Sequence, residues 1–174
     1  GTVVRAARDM KILRAEEDGS QVLLYYSDAM DCDNDSAWHP KRLFKEVMEN
    51  IGHIPPSSMF GNQSKEMISD CMLEDWTVNA NWQAAAIQYV IEKENIDVVF
   101  SHFHAIDLQT HMFLKHMSPK ASNKRPIAEV VENCKDVYVQ ADNYIGQFLH
   151  YLDEGWTIIV FSDHGLLSSE YDEP

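Results

Sequence analysis

A strand–helix–strand pattern in the second half of the chain constrains its fold more than any other feature. Two short apolar runs, rich in β-branched residues, lie at residues 96–101 and 157–162 and predict buried strands. Between them, residues 126–153 carry apolar side chains at helical spacing, which predicts one long amphipathic helix. A helix that joins two strands in this order forms a right-handed crossover between parallel strands. The sequence therefore predicts an α/β fold with a partly parallel sheet flanked by helices.

The first half of the chain predicts smaller elements. Residues 10–27 contain two apolar runs on either side of Asp18-Gly19, a turn pair typical of β-hairpins. Three helices are predicted further on, at residues 40–50, 64–75 and 81–94. Because the hairpin and the first helices do not continue the strand–helix pattern, we expect residues 1–78 to be an insertion or cap. Residues 79–174 would then form part of the α/β core.

Composition excludes several classes of protein. The 28 acidic residues outnumber the 14 basic residues and give a net charge of −14, which would repel a nucleic-acid duplex. No apolar run approaches the roughly 20 residues of a transmembrane helix. The three cysteines, Cys32, Cys71 and Cys134, are odd in number and widely spaced, so a disulfide framework is not indicated. They slightly favour a reducing, cytoplasmic compartment.

Two motifs follow the predicted parallel strands. After the first strand, Asp107 and His111 are four residues apart, which places both on one face of a helix. After the second strand come Asp163 and His164, followed by Gly165, which would permit a turn. Sites in open α/β sheets form beyond the carboxyl ends of the strands, so we expect the two pairs to converge. Carboxylate oxygens and imidazole nitrogens suit zinc, or another divalent ion such as manganese.

Two interpretations are open for His102 and His104, which lie just before this helix. His102 and His104 alternate with Phe103, so both could face the predicted site and support a metal ligand or contact substrate. The alternative, which this pattern favours, is that both are hydrogen-bonded histidines with a structural role only. Asp163 follows a run predicted to be buried, so we expect its carboxylate to be partly desolvated.

The motifs Asp107-Leu-Gln-Thr-His111 and Phe161-Ser-Asp-His-Gly165 resemble those of the alkaline phosphatase superfamily. The resemblance is closest to its type I phosphodiesterase/nucleotide pyrophosphatase branch, and it covers about residues 80–168. It implies an alkaline phosphatase-like core with two divalent metal ions, usually zinc. Asp107 and His111 would bind one ion, and Asp163 and His164 would bind the other.

The resemblance also implies a reaction and a substrate class. The family cleaves phosphodiester or pyrophosphate bonds of small phosphorylated substrates such as nucleotides, with a Thr or Ser nucleophile. No residue here matches that nucleophile, and the chain ends soon after its second motif, so we expect a fragment of a larger enzyme that is a poor catalyst alone. Three other activities of the superfamily remain alternatives: phosphatase, sulfatase and phosphonate hydrolase. A non-catalytic module with the same fold is a further alternative. The oligomeric state is not indicated.

Overall fold

The computed structural model describes residues 3–56, 70–117 and 127–166. The strands are β1 (Ala6–Ala7), β2 (Met10–Ala15), β3 (Val22–Tyr26) and β4 (Met30–Asp31). The helices are α1 (Arg42–Asn50), α2 (Met72–Lys93), α3 (Ala105–Met117) and α4 (Ile127–Gly146), followed by a 3₁₀ helix (Leu149–Leu152). This mixture of helices and small sheets fits the α/β class.

The chain divides into two compact units, Gly1–Phe100 and Ser101–Pro174. The predicted division after residue 78 falls inside α2, so the compact units follow a different boundary. The assignment of residues 1–78 to an insertion or cap stays a prediction. Among the described residues, no helix has the length and apolarity needed to span a bilayer.

The first unit contains the predicted hairpin. Strands β2 and β3 pair antiparallel, with Met10 opposite Tyr26. Between them, Gly19 adopts a φ of 72°, and the amide of Ser20 donates to Asp18 Oδ1 at 2.9 Å. Because Asp-Gly supplies both the side-chain acceptor and the left-handed conformation, the hairpin could be predicted from its turn. A second two-stranded sheet pairs β1 with β4, also antiparallel.

Helix α2 is longer than predicted. The sequence predicted two helices, at 64–75 and 81–94, whereas Met72–Lys93 is one continuous helix; residues 64–69 lie outside the described residues. The segment that was predicted to interrupt it contains no Gly or Pro. Its buried side chains continue a stripe of four-residue spacing that faces the core, formed by Met72, Trp76, Ala80 and Ala84.

The two predicted parallel strands are not confirmed. In the described part of the chain, both sheets are two-stranded and antiparallel, and neither residues 96–101 nor 157–162 join them. The side chains of these runs are exposed rather than buried, with Val98 81% and Ile159 76% exposed. Apolar β-branched residues favour a strand only where neighbouring strands complete the ladder, and in the described part of the chain neither run has such a neighbour.

The second unit is built on α3 and α4, which pack against each other. Phe113 from α3 and Val130 and Val137 from α4 are almost fully buried. The predicted helix to residue 153 ends earlier: α4 stops at Gly146, and the 3₁₀ turn follows. The predicted first residue of that helix, Pro126, lies outside the described residues. This helix pair is the scaffold that holds the candidate site.

Candidate functional site

Helix α3 positions the first pair of candidate residues. Its first turn begins where the amide of Leu108 donates to the carbonyl of His104 at 3.2 Å. Asp107 lies in this turn, where a carboxylate interacts favourably with the helix dipole. His111 follows one turn later, with its Nε2 atom 3.2 Å from Asp107 Oδ1. The helix therefore brings the two side chains together, as their spacing predicted.

Asp107 is the centre of a cluster that we call the His–Asp cluster: His104, Asp107, His111, Asp163 and His164. Its Oδ2 atom accepts a hydrogen bond from His104 Nε2 at 2.8 Å. Its Oδ1 atom faces His111 Nε2 and, at 3.6 Å, His164 Nε2. Oδ1 is nevertheless buried without a hydrogen bond. A buried carboxylate oxygen facing two imidazole nitrogens is placed to accept a cation or a proton.

The second pair reaches the cluster through His164. Its Nδ1 atom donates to the carbonyl of Gly165 at 3.1 Å, which in the neutral imidazole leaves the lone pair on Nε2. Nε2 is the atom that faces Asp107. The Gly165 carbonyl raises the pKa of His164, and the Asp163 and Asp107 carboxylates raise it further. The pair Asp107 and His111 therefore lies close to the pair Asp163 and His164, joined through His164. Their positions after the two apolar runs predicted this convergence.

Asp163 differs from its prediction. Its side chain is 70% exposed, so the expectation of a partly desolvated carboxylate was wrong. The reason is that the preceding apolar run is itself exposed. Asp163 Oδ1 lies 3.7 Å from His164 Nε2, which keeps the side chain at the edge of the His–Asp cluster. Asp107 is the more buried carboxylate, with 22% of its side chain exposed.

The turn that carries His164 depends on Ser162, for which the motif predicted no role. Gly165 was expected to permit this turn, but the glycines with positive φ among the described residues are Gly19, Gly52 and Gly155. The turn is fixed instead by the hydroxyl of Ser162, which donates to the His164 carbonyl at 2.6 Å. The position of this Ser, two residues before the His, could have predicted the hydrogen bond, since short hydroxyl side chains commonly bond nearby backbone groups.

His104 and His102 occupy different places. His104 belongs to the His–Asp cluster through its hydrogen bond to Asp107. The ring of His102 lies 4.6 Å from the ring of His104, tilted by 36°, and so contacts the cluster through His104. The alternation of the two histidines with Phe103 indicated that they would be neighbours, but it did not distinguish their roles.

The His–Asp cluster is not a preassembled metal cage. Among the described residues, no group of three or more His, Cys, Asp and Glu side chains is arranged to hold a metal ion. What the cluster provides is one buried carboxylate oxygen, two imidazole nitrogens directed at it and an exposed second carboxylate. This arrangement concentrates donors suited to a divalent cation on one side of α3.

Comparison with known proteins identifies one family. The family model described as type I phosphodiesterase / nucleotide pyrophosphatase matches residues 26–173, which include the whole His–Asp cluster. No curated protein and no solved structure shows significant similarity to the chain.

Proposed function

The chain belongs to the type I phosphodiesterase/nucleotide pyrophosphatase family of the alkaline phosphatase superfamily, and we propose that it carries the metal-binding part of a metal-dependent hydrolase. Membership of this family supports an activity that hydrolyses phosphodiester or pyrophosphate bonds in a small phosphorylated substrate such as a nucleotide. The observation that carries the proposal for this chain is the Oδ1 atom of Asp107, which is buried, without a hydrogen bond and faced by two imidazole nitrogens.

The donor set fits a divalent cation. Neighbouring ligands of a tetrahedral zinc ion with bonds of about 2.0–2.1 Å lie about 3.3 Å apart. The separation between Asp107 Oδ1 and His111 Nε2 is 3.2 Å, close to that value. A cation would also remove the cost of leaving a buried carboxylate oxygen without a partner.

We assign one ion to each of the two motifs. Asp107 and His111 would hold one ion, and Asp163 and His164 would hold the other, with zinc as the first candidate and manganese as the second. When bound, such ions polarise phosphoryl oxygens and lower the pKa of a coordinated nucleophile. His104 holds Asp107 through Oδ2, which leaves Oδ1 directed into the site.

The remaining roles of the chain's residues follow from their contacts. The carbonyl of Gly165 fixes the tautomer of His164, so that Nε2 offers a lone pair to the site. Ser162 holds the backbone of His164 in place. A Thr or Ser nucleophile of the family kind would be supplied by residues outside this chain.

Metal content and substrate preference test the proposal in the protein that carries these residues. Bound zinc and manganese would be measured together with turnover of an aryl phosphodiester, a nucleotide pyrophosphate, an aryl phosphomonoester, an aryl phosphonate and an aryl sulfate. We expect the diester or the pyrophosphate to be preferred. The Asp107→Asn variant should lose bound metal and lower turnover by at least about 100-fold, because the charge is lost while the shape is kept.

Asp142→Asn provides the matched control, since Asp142 is an exposed aspartate on α4 outside the His–Asp cluster. It should leave metal content and turnover unchanged. Preference for the monoester, phosphonate or sulfate would instead assign the chain to another activity of the superfamily. Unchanged metal content in Asp107→Asn would remove Asp107 from the site, and absence of turnover on every substrate would favour a non-catalytic module.

A further inference from the structure

A separate cavity lies in the first unit, between the β2–β3 hairpin and the first turns of α2. Its volume is about 300 Å³. Its wall combines charged side chains with the apolar groups of Met10, Val78 and the Tyr25 ring. None of these residues belongs to the His–Asp cluster, which lies in the second unit, so the cavity can be tested independently of the proposed function.

Asp75 is a buried group of this cavity with one carboxylate oxygen that has no hydrogen bond. The residue is 9% exposed, and its Oδ1 atom accepts a hydrogen bond from the Tyr25 hydroxyl at 3.2 Å. Its Oδ2 atom is buried and has no hydrogen bond. A buried carboxylate oxygen without a donor is costly, so a donor from a bound molecule would stabilise it.

The two cationic side chains of the wall are directed elsewhere. Lys11 Nζ donates to the carbonyl of Asp70 at 2.7 Å and forms an ion pair with Glu74. Arg8 Nη1 donates to the carbonyl of Ser27 at 2.6 Å. Each therefore has a partner of its own, and Asp75 Oδ2 is still left without one.

The charges of the wall select the class of ligand. Three carboxylates, those of Asp9, Glu74 and Asp75, face two cations, so the wall disfavours an anion. Because Glu74 already forms an ion pair with Lys11, the cavity offers a divalent cation too few free carboxylate oxygens beside Asp75 Oδ2. An ammonium group supplies both the positive charge and the N–H donor that Asp75 Oδ2 lacks, and a short alkyl chain would contact Met10 and Val78.

We propose that this cavity binds a small primary alkylammonium, whose N–H group donates to Asp75 Oδ2 while its alkyl chain lies against the apolar wall. The proposal concerns a binding site and no chemical step. It also explains why an aspartate occupies a buried position of α2, where an apolar residue would pack without cost.

The experiment is an NMR titration of the chain with n-butylammonium at neutral pH, with butyrate and 1-butanol as charge-reversed and neutral probes of similar size. We expect saturable shifts for residues around the cavity, with a dissociation constant of about 1 mM, for butylammonium alone. Asp75→Asn should weaken binding by at least about tenfold. Glu92→Gln, which changes an exposed carboxylate of α2 outside the cavity, should bind like the parent.

A second variant keeps the test informative if Asp75→Asn alters the fold. Val78→Trp adds bulk at the cavity wall while retaining Asp75, and it should also prevent binding. Absence of saturable shifts in the parent would overturn the proposal. Equal binding of butyrate or 1-butanol, or undiminished binding by either cavity variant, would overturn it as well.

Discussion

At the scale of single residues, the buried Asp75 makes stability depend on pH. Burial raises the pKa of Asp75 to about 6; the Tyr25 hydrogen bond opposes that rise, and the Asp9 carboxylate adds to it. Because the folded state holds this proton more tightly than the unfolded chain, the contribution of Asp75 is fully present below about pH 4, near the ordinary aspartate pKa. It is lost as the pH rises through about 6, and the whole loss is about 3 kcal/mol.

Asp75→Asn should remove this dependence, because the amide does not titrate. We expect the free energy of unfolding of the variant, relative to the parent, to rise by about 2 kcal/mol between about pH 4 and about pH 7. Urea denaturation at both pH values measures it, with Glu92→Gln as the control. Parallel pH profiles for parent and Asp75→Asn would show that Asp75 has an ordinary pKa.

His104 should act as a positioning residue for Asp107. His104→Ala removes the donor to Asp107 Oδ2, and we expect the affinity for zinc to fall about 10- to 100-fold. Competition with a chelator measures this affinity without relying on turnover. His104→Gln retains an N–H donor and should recover part of the loss. If alanine and glutamine bind zinc as tightly as histidine, His104 has a structural role only.

At the scale of elements, the packing of α3 on α4 supports the candidate site. Phe113 on α3 is 1% exposed, so Phe113→Ala should lower the free energy of unfolding by about 3–5 kcal/mol. The matched control is Tyr138→Ala on α4, an aromatic that is more than half exposed, with an expected effect below about 0.5 kcal/mol. Thermal or urea denaturation compares the two, and equal losses would contradict the assignment of Phe113 to the core.

Elements that depend on local chemistry could be predicted, and those that depend on distant partners could not. The hairpin follows from Asp18-Gly19, and the position of Asp107 and His111 on one face of α3 follows from their four-residue spacing. The runs at 96–101 and 157–162 have strand composition, yet a strand is completed only by hydrogen bonds to other segments. In helix α2, packing adds helical structure that the sequence did not predict. Helix propensity alone would interrupt the helix, and the burial of Trp76 and Ala80 continues it.

The candidate site was predictable to a similar extent. Sequence spacing identified the residues that converge, because helix periodicity and position along the chain are local properties. It did not identify which carboxylate is buried, since the exposure of Asp163 and the burial of Asp107 depend on the surrounding packing. The hydrogen bond from Ser162 was likewise missed, because it depends on the path of one turn.

At the scale of the whole molecule, the two apolar runs should be among the most accessible parts of the described backbone outside the turns. Residues 98–100 and 157–161 belong to no helix or strand ladder, so their amides should exchange with deuterium well before those of α2 and α4. Hydrogen exchange followed by mass spectrometry on the 174-residue chain measures this directly. Protection of both runs comparable to that of the helices would instead support the partly parallel sheet that the sequence predicted.

The hydrogen bond from His104 to Asp107 also limits the denticity of this carboxylate. With Oδ2 holding a hydrogen bond, Asp107 would favour binding a cation through Oδ1 alone, whereas a free carboxylate can chelate through both oxygens. A one-oxygen ligand would keep the coordination number of a bound ion low and would leave positions for the oxygens of a phosphoryl group. In this arrangement, a histidine that need not touch the ion would set how many places are left for the substrate.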